Sequence, residues 1–184
     1  MVIDNERMYI DIPKTILGSA ALTAVGGLIK GLPYLPAAAV LSPILLMVSQ
    51  TDAKKRKIPN EFVLLMLAPA AVLLVTEVLL GRNLISCIMS RIVGALILPV
   101  LLLLASMVTR GGVGGGDIKF IGAAGLFLGA LRVSYAVFIG MSIATIFIIA
   151  RLIWYKVSGN TDGDRRIAAG PFFAIGIWLV FLFM

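Results

Sequence analysis

Seven apolar runs, separated by short charged or glycine-rich connections, constrain this chain more than anything else in it. They cover roughly residues 16–29, 35–50, 62–80, 84–108, 118–131, 133–155 and 167–184. The chain is 60% hydrophobic with a mean hydropathy of +1.07, whereas soluble domains are roughly 45–50% apolar. The runs lack the alternation of barrel strands, so helices are the spanning element. The expected fold class is all-α: a polytopic membrane helical bundle forming a single integral-membrane domain over residues 1–184, with N-terminal helices in 1–50 and a core in 51–184. A full crossing takes about 20 residues. The first, second and fifth runs are shorter, and the fifth must tilt or start inside a cavity.

The 16 basic residues give a net charge of +7. They sit in short loops, where membrane topology explains them better than nucleic acid, and no nucleic-acid partner is expected. If all seven runs cross and the loop with Lys54, Lys55, Arg56 and Lys57 is cytoplasmic, then Arg7, Lys14, Arg110, Lys119, Arg151, Lys156, Arg165 and Arg166 are cytoplasmic too. Lys30, Arg82 and Arg132 fall outside, and Arg91 lies within a run. That is a clear positive-inside bias. The N-terminus carries Asp4, Glu6, Arg7, Asp11 and Lys14 before its apolar run, unlike a cleavable signal peptide.

The chain has no histidine and one cysteine, Cys87. Histidine-based catalysis and paired-cysteine metal sites are therefore excluded, and neither metal nor cofactor is expected. Chemistry must come from carboxylates. Two stand at the predicted cytoplasmic border: Asp52 in TDAKKRKIPNE (51–61) and Asp117 in TRGGVGGGDIK (109–119). Ionisable groups at such borders are costly and point to function. Two neighbouring carboxylates share one proton: the charged member activates a water, and the protonated member donates to a peptide carbonyl. This is the chemistry of an aspartyl protease. A low-dielectric border should raise the upper pKa of the pair, whereas the helix that Asp117 opens favours its anion; the sequence leaves that balance open.

Gly114, Gly115 and Gly116, with Gly111 and Gly112, would let a substrate backbone lie close to Asp117. The plainer reading is a flexible connection ending in an N-cap aspartate. Asp52 likewise reads alone as a solvated charge offsetting the basic run. Ile58-Pro59-Asn60 follows it, with Pro59 breaking the helix and Asn60 suited to cap the next.

Asp52, then Ile58-Pro59-Asn60, then Gly114–Asp117 with Ile118-Lys119, resembles the type IV prepilin peptidase family with its GxGD motif. Gly170-Pro171-Phe172-Phe173-Ala174, after Arg166, looks like that family's last-helix motif. The resemblance runs from about residue 52 to the C-terminus. It implies Asp52 and Asp117 as the catalytic pair of a membrane aspartic endopeptidase. It also implies prepilin-like substrates of type IV pilus systems, whose leader is cut at the cytoplasmic face of the cytoplasmic (inner) membrane. Bifunctional members carry paired CxxC motifs in a methylating domain. With one cysteine, this chain resembles the peptidase-only form, and methyl transfer is not expected.

Other polar residues have plainer readings. Lys119 lies on a different helix face from Asp117 and reads as a snorkelling lysine. The 54–57 run suits topology and anionic lipid headgroups. Glu77 and Arg91 read as a buried pair or as snorkelling side chains. Asp162 and Asp164 read as a solvated loop. The glycines at 122, 125 and 129 suit close helix packing, which would also bring the Asp52 helix near. From other functional classes, a small proton- or cation-coupled transporter using the two aspartates, or a non-catalytic scaffold, stays open on residues alone. A transporter favours acidic groups near the midplane in repeated halves, and neither feature is visible.

Overall fold

A computed structural model describes residues 2–4, 8–108, 114–158 and 168–184. Eight α-helices form within them: α1 (Ile12–Lys30), α2 (Leu35–Lys55), α3 (Asn60–Leu65), α4 (Leu67–Leu79), α5 (Leu84–Val108), α6 (Gly115–Leu128), α7 (Ala130–Ser158) and α8 (Gly170–Phe183). Within the described residues every apolar run forms a helix, and the fold is the expected all-α bundle. The run at 62–80 is broken at Met66 into α3 and α4.

Among the described residues, five stretches are long and apolar enough to cross a membrane: Ile12–Lys30, Leu32–Lys55, Asn60–Leu79, Leu84–Val108 and Ala130–Ser158. Helices α6 and α8 have 14 residues each. At 1.5 Å per residue that is about 21 Å, short of a hydrocarbon core of about 30 Å. These two short helices are the innermost elements. Phe120, Ala124 and Phe127 of α6 and Ile177, Val180 and Phe181 of α8 are almost fully buried, while α5 and α7 turn long apolar faces outward.

Small residues allow this packing. A side chain at Gly125 of α6 would stand 2.4 Å from the Gly94 backbone of α5, and one at Gly140 of α7 would stand 2.9 Å from the Phe172 carbonyl of α8. The glycine face of α6 meets α5 rather than the Asp52 helix: Gly122 faces Pro99, Gly125 faces Gly94, and Gly129 faces Ser90. Asp52 and Asp117 are therefore brought together by other contacts, through α3, α4 and α8.

Helix α2 runs five residues past the expected end at 50, to Lys55. Lys54 and Lys55 suit its negative C-terminal end, and Arg56 closes it in the left-handed region (φ 52°), donating to the Asp52 carbonyl. Asp52 thus lies in the last turn of a helix, not in the loop beyond. The sequence did not signal a small hairpin, β1 (Val2–Asp4) and β2 (Tyr9–Asp11), which pairs antiparallel with Ile3 opposite Ile10. Its second strand is held by α2. The Tyr9 N–H donates to the Thr51 hydroxyl, which donates back to the Tyr9 carbonyl, and the Asp11 N–H donates to Gln50.

Candidate active site

Asp52 is 5% exposed. Its Oδ2 accepts the Gly170 N–H at 2.7 Å. Gly170 opens α8 and is followed by Pro171, which has no N–H of its own. The carboxylate therefore sits at the positive end of a helix and takes one of its free donors. No side chain fits at position 170: a Cβ there would lie 2.8 Å from Oδ2 and 2.9 Å from Cβ of Asp52.

Asp117 stands in the first turn of α6, with Gly114 as the N-cap residue. Its carboxylate folds back over that cap, 3.0 Å from where a Gly114 side chain would begin. Burial, and then the nearby charge of Asp52, push its pKa up to about 6 from 3.8. Burial therefore outweighs the helix end, and the two aspartates meet within electrostatic reach.

The Ile58-Pro59-Asn60 turn is the seat for α6. Ile58 is buried against Gly116, where a Cβ would lie 3.3 Å from that of Ile58. Asn60 does not cap α3. Pro59 occupies the N-cap position, leaving Asn60 as the first helical residue. Its side chain accepts the Lys119 ammonium at 3.2 Å, so Lys119 ties α6 to α3 rather than merely snorkelling. Of the glycines expected to line the approach, Gly115 faces open space, Gly114 lies under Asp117, and Gly116 packs on Ile58. Gly111, Gly112, Asp162, Asp164 and Arg166 lie outside the described residues.

Glu77 and Arg91 are far from the aspartates. They pair at 2.9 Å near the opposite end of the bundle, where Arg91 also donates to the carbonyls of Ala70, Leu126 and Phe127. Among the described residues, no cluster of three His, Cys, Asp or Glu side chains forms. Two features escaped sequence reasoning. One is the backbone donor at Gly170, which carries no side-chain signal. The other is the hairpin that grips Thr51 beside Asp52; its alternation in 9–11 is too brief to register.

The sequence model of the type IV leader peptidase family matches residues 39–149, a stretch holding both aspartates and the turn between them. A curated relative, the prepilin leader peptidase/N-methyltransferase of Bacillus subtilis (strain 168), is 28% identical over 184 residues, spanning 97% of this chain and 68% of the relative. No solved structure matches. With the family match extending over more than half its length, this membrane-helical chain belongs to the type IV leader peptidase family.

Proposed function

We propose that this protein is an aspartic endopeptidase that removes the N-terminal leader of prepilin-like proteins at the cytoplasmic face of the cytoplasmic membrane, with Asp52 and Asp117 as the catalytic pair. The observation that carries this reading is the unlike environment of the two carboxylates. Asp52, itself buried, accepts a backbone N–H at a helix start, which offsets part of the cost of burying its anion. Asp117 is half-buried beside it; burial first, and then the like charge of Asp52, keep its proton on to about pH 6.

The roles follow from that asymmetry. Asp52 takes a proton from water as its oxygen attacks the scissile carbonyl carbon. Asp117 donates its proton to the carbonyl oxygen, which carries the developing charge. The tetrahedral intermediate collapses as the C–N bond breaks: the proton on Asp52 passes to the leaving amine, and a hydroxyl of the intermediate returns a proton to Asp117 as the carbonyl reforms. The open flank at Gly115, next to the cap glycine Gly114, gives an extended substrate room beside Asp117; Gly116 holds α6 on Ile58. Cleavage alone is proposed. The methyl-transfer half of the relative's name is not carried over, because Cys87 by itself cannot form paired CxxC motifs.

The test is cleavage of a prepilin-like precursor by the purified chain in nanodiscs, followed by mass spectrometry of both fragments. Wild type should release the leader, and Asp52→Asn and Asp117→Asn should not. Processing by either variant at near wild-type rate ends the assignment.

A further inference from the structure

All four basic residues that the charge pattern leaves off the cytoplasmic side converge on one carboxylate. Glu77 lies 2.6 Å from Arg132, 2.9 Å from Arg91 and 3.6 Å from Arg82. The Lys30 side chain is within electrostatic reach of Glu77, Arg82 and Arg132. Its ammonium stands 5.2 Å from the Tyr34 ring centre and 5.9 Å from that of Phe181. The cluster lies at the ends of α1 and α4, in the first turns of α5 and at the start of α7, with Arg91 donating to the last carbonyls of α6, at the end of the bundle away from Asp52 and Asp117.

The charges do not balance: four cations surround one anion. Arg91 is buried and spends its donors on Glu77 and the last carbonyls of α6. Arg132 is committed to Glu77. Arg82 is different. Its side chain is 52% exposed, and its contact with Glu77 is long. Half-buried Lys30 rests on ring faces, which favour a cation without neutralising it. At a membrane border an excess of this size calls for a counter-ion, and a phosphodiester is a natural match for a guanidinium fork beside an ammonium.

An apolar groove of about 510 Å³ adjoins the cluster, lined among others by Pro33, Pro36, Val75, Thr76, Leu79 and Leu80. Thr76 precedes Glu77, Leu80 lies two residues before Arg82, and Pro33 three after Lys30, so groove and charges share one rim. Val75 and Leu79 are largely exposed there, 57% and 82%. We propose that Lys30 and Arg82, backed by Arg132, bind the headgroup phosphate of an anionic phospholipid whose hydrocarbon chain lies in the groove between the start of α2 and the end of α4. The proposal is independent of the protease reading, since no residue of the site takes part.

The test is native mass spectrometry of the full chain in neutral detergent with equal amounts of phosphatidylglycerol and phosphatidylcholine. Wild type should retain phosphatidylglycerol at least fivefold over phosphatidylcholine. Arg82→Gln, at a half-exposed position, and the Lys30→Gln/Arg82→Gln pair should bring the ratio near one while melting in detergent stays close to wild type. Val75→Trp, which fills the groove, should weaken lipid retention. Equal retention of both lipids by wild type overturns the proposal, as does an unchanged preference in Arg82→Gln. A parallel arm adds inorganic phosphate: displacement of the lipid, or equal thermal stabilisation, would show a free-anion site and overturn the lipid assignment.

Discussion

The backbone N–H of Gly170 and the Oδ2 of Asp52 are bonded at 2.7 Å across 118 positions of sequence. This contact joins the start of α8 to the last turn of α2, leaving no room for any side chain at 170. Gly170→Ala should therefore push the Asp52 carboxylate out of place. We expect kcat to fall at least 100-fold, with KM changed much less, because the substrate's other contacts remain. With its donor lost, Asp52 should protonate more readily, so the acid limb of the pH–rate profile should move to higher pH. Loss of folding alone would lower the active fraction without moving that limb.

Asp117 gives a pH signature of its own. In the proposed mechanism it must hold a proton to donate one, and burial keeps that proton on to about pH 6. Cleavage by purified protein should therefore decline as pH rises beyond that value. The stability effect has a definite sign. The folded state holds this proton more tightly than an unfolded chain, whose reference is 3.8. Its stabilising contribution is complete below that reference and disappears as pH rises through about 6. Asp117→Asn cannot ionise, so at pH 8 it should be more stable than wild type by on the order of 1–2 kcal/mol, allowing for partial solvent screening. The gap should shrink by pH 5. Melting curves of both proteins at the two pH values decide it, and an equal gap at both would separate Asp117 from the proposed titration.

Side chains dictated part of this architecture, and backbone geometry dictated the rest. The apolar runs announced each helix because burial in lipid leaves no other way to satisfy the backbone. Asp52 and Asp117 stood out as charges at the ends of such runs. Gly170 did not, because what it contributes is an N–H and an empty space. Asn60 looked like a cap by residue type, but the fixed dihedral of Pro59 took that position and freed Asn60 for Lys119. The glycine face of α6 was visible as a packing face; its partner, α5, was not, since small residues say how close a neighbour comes but not which neighbour it is.

Topology is checked at two positions flanking the stretch Asn60–Leu79. In a chain whose Cys87 is replaced by Ser, a cysteine at position 55 should label with an impermeant maleimide from the cytoplasmic side. A cysteine at 82 should label from the opposite side. Both labelling from one side would mean that this stretch does not cross, removing the basis for a cytoplasmic active site.

Arg91 holds together the end of the bundle opposite the aspartates. It is 6% exposed, bonded to Glu77 and to the carbonyls that end α6. Arg91→Ala leaves a buried carboxylate and those carbonyls short of a donor, at a cost of about 3–5 kcal/mol. Glu77→Gln, which keeps shape and an acceptor, should cost less. Since α6 also carries Asp117, residual activity in Arg91→Ala should fall with the folded fraction. Calorimetry and cleavage measured on the same preparation test this, and an unchanged melting temperature would show that the network contributes little.

Adjacent glycines in α6 should separate substrate space from helix packing. A Cβ at Gly115 meets nothing within 4 Å, whereas one at Gly116 meets Ile58 at 3.3 Å. Gly115→Val should therefore leave the melting temperature within a few degrees of wild type. If the open flank beside Asp117 receives the substrate backbone, the same change should raise KM or lower kcat/KM by tenfold or more. Gly116→Val adds two methyl groups beyond an already tight contact, displacing α6 from the Ile58-Pro59-Asn60 turn. Overpacking of this kind costs about 1–3 kcal/mol, so stability and activity should fall together. Gly116→Ala, needing only a few tenths of an ångström from Ile58, should be intermediate in both. Full activity in Gly115→Val would move the substrate path away from this flank. Equal loss of stability in the 115 and 116 variants would make both positions packing sites, leaving the path to be sought on the Gly114 side of Asp117.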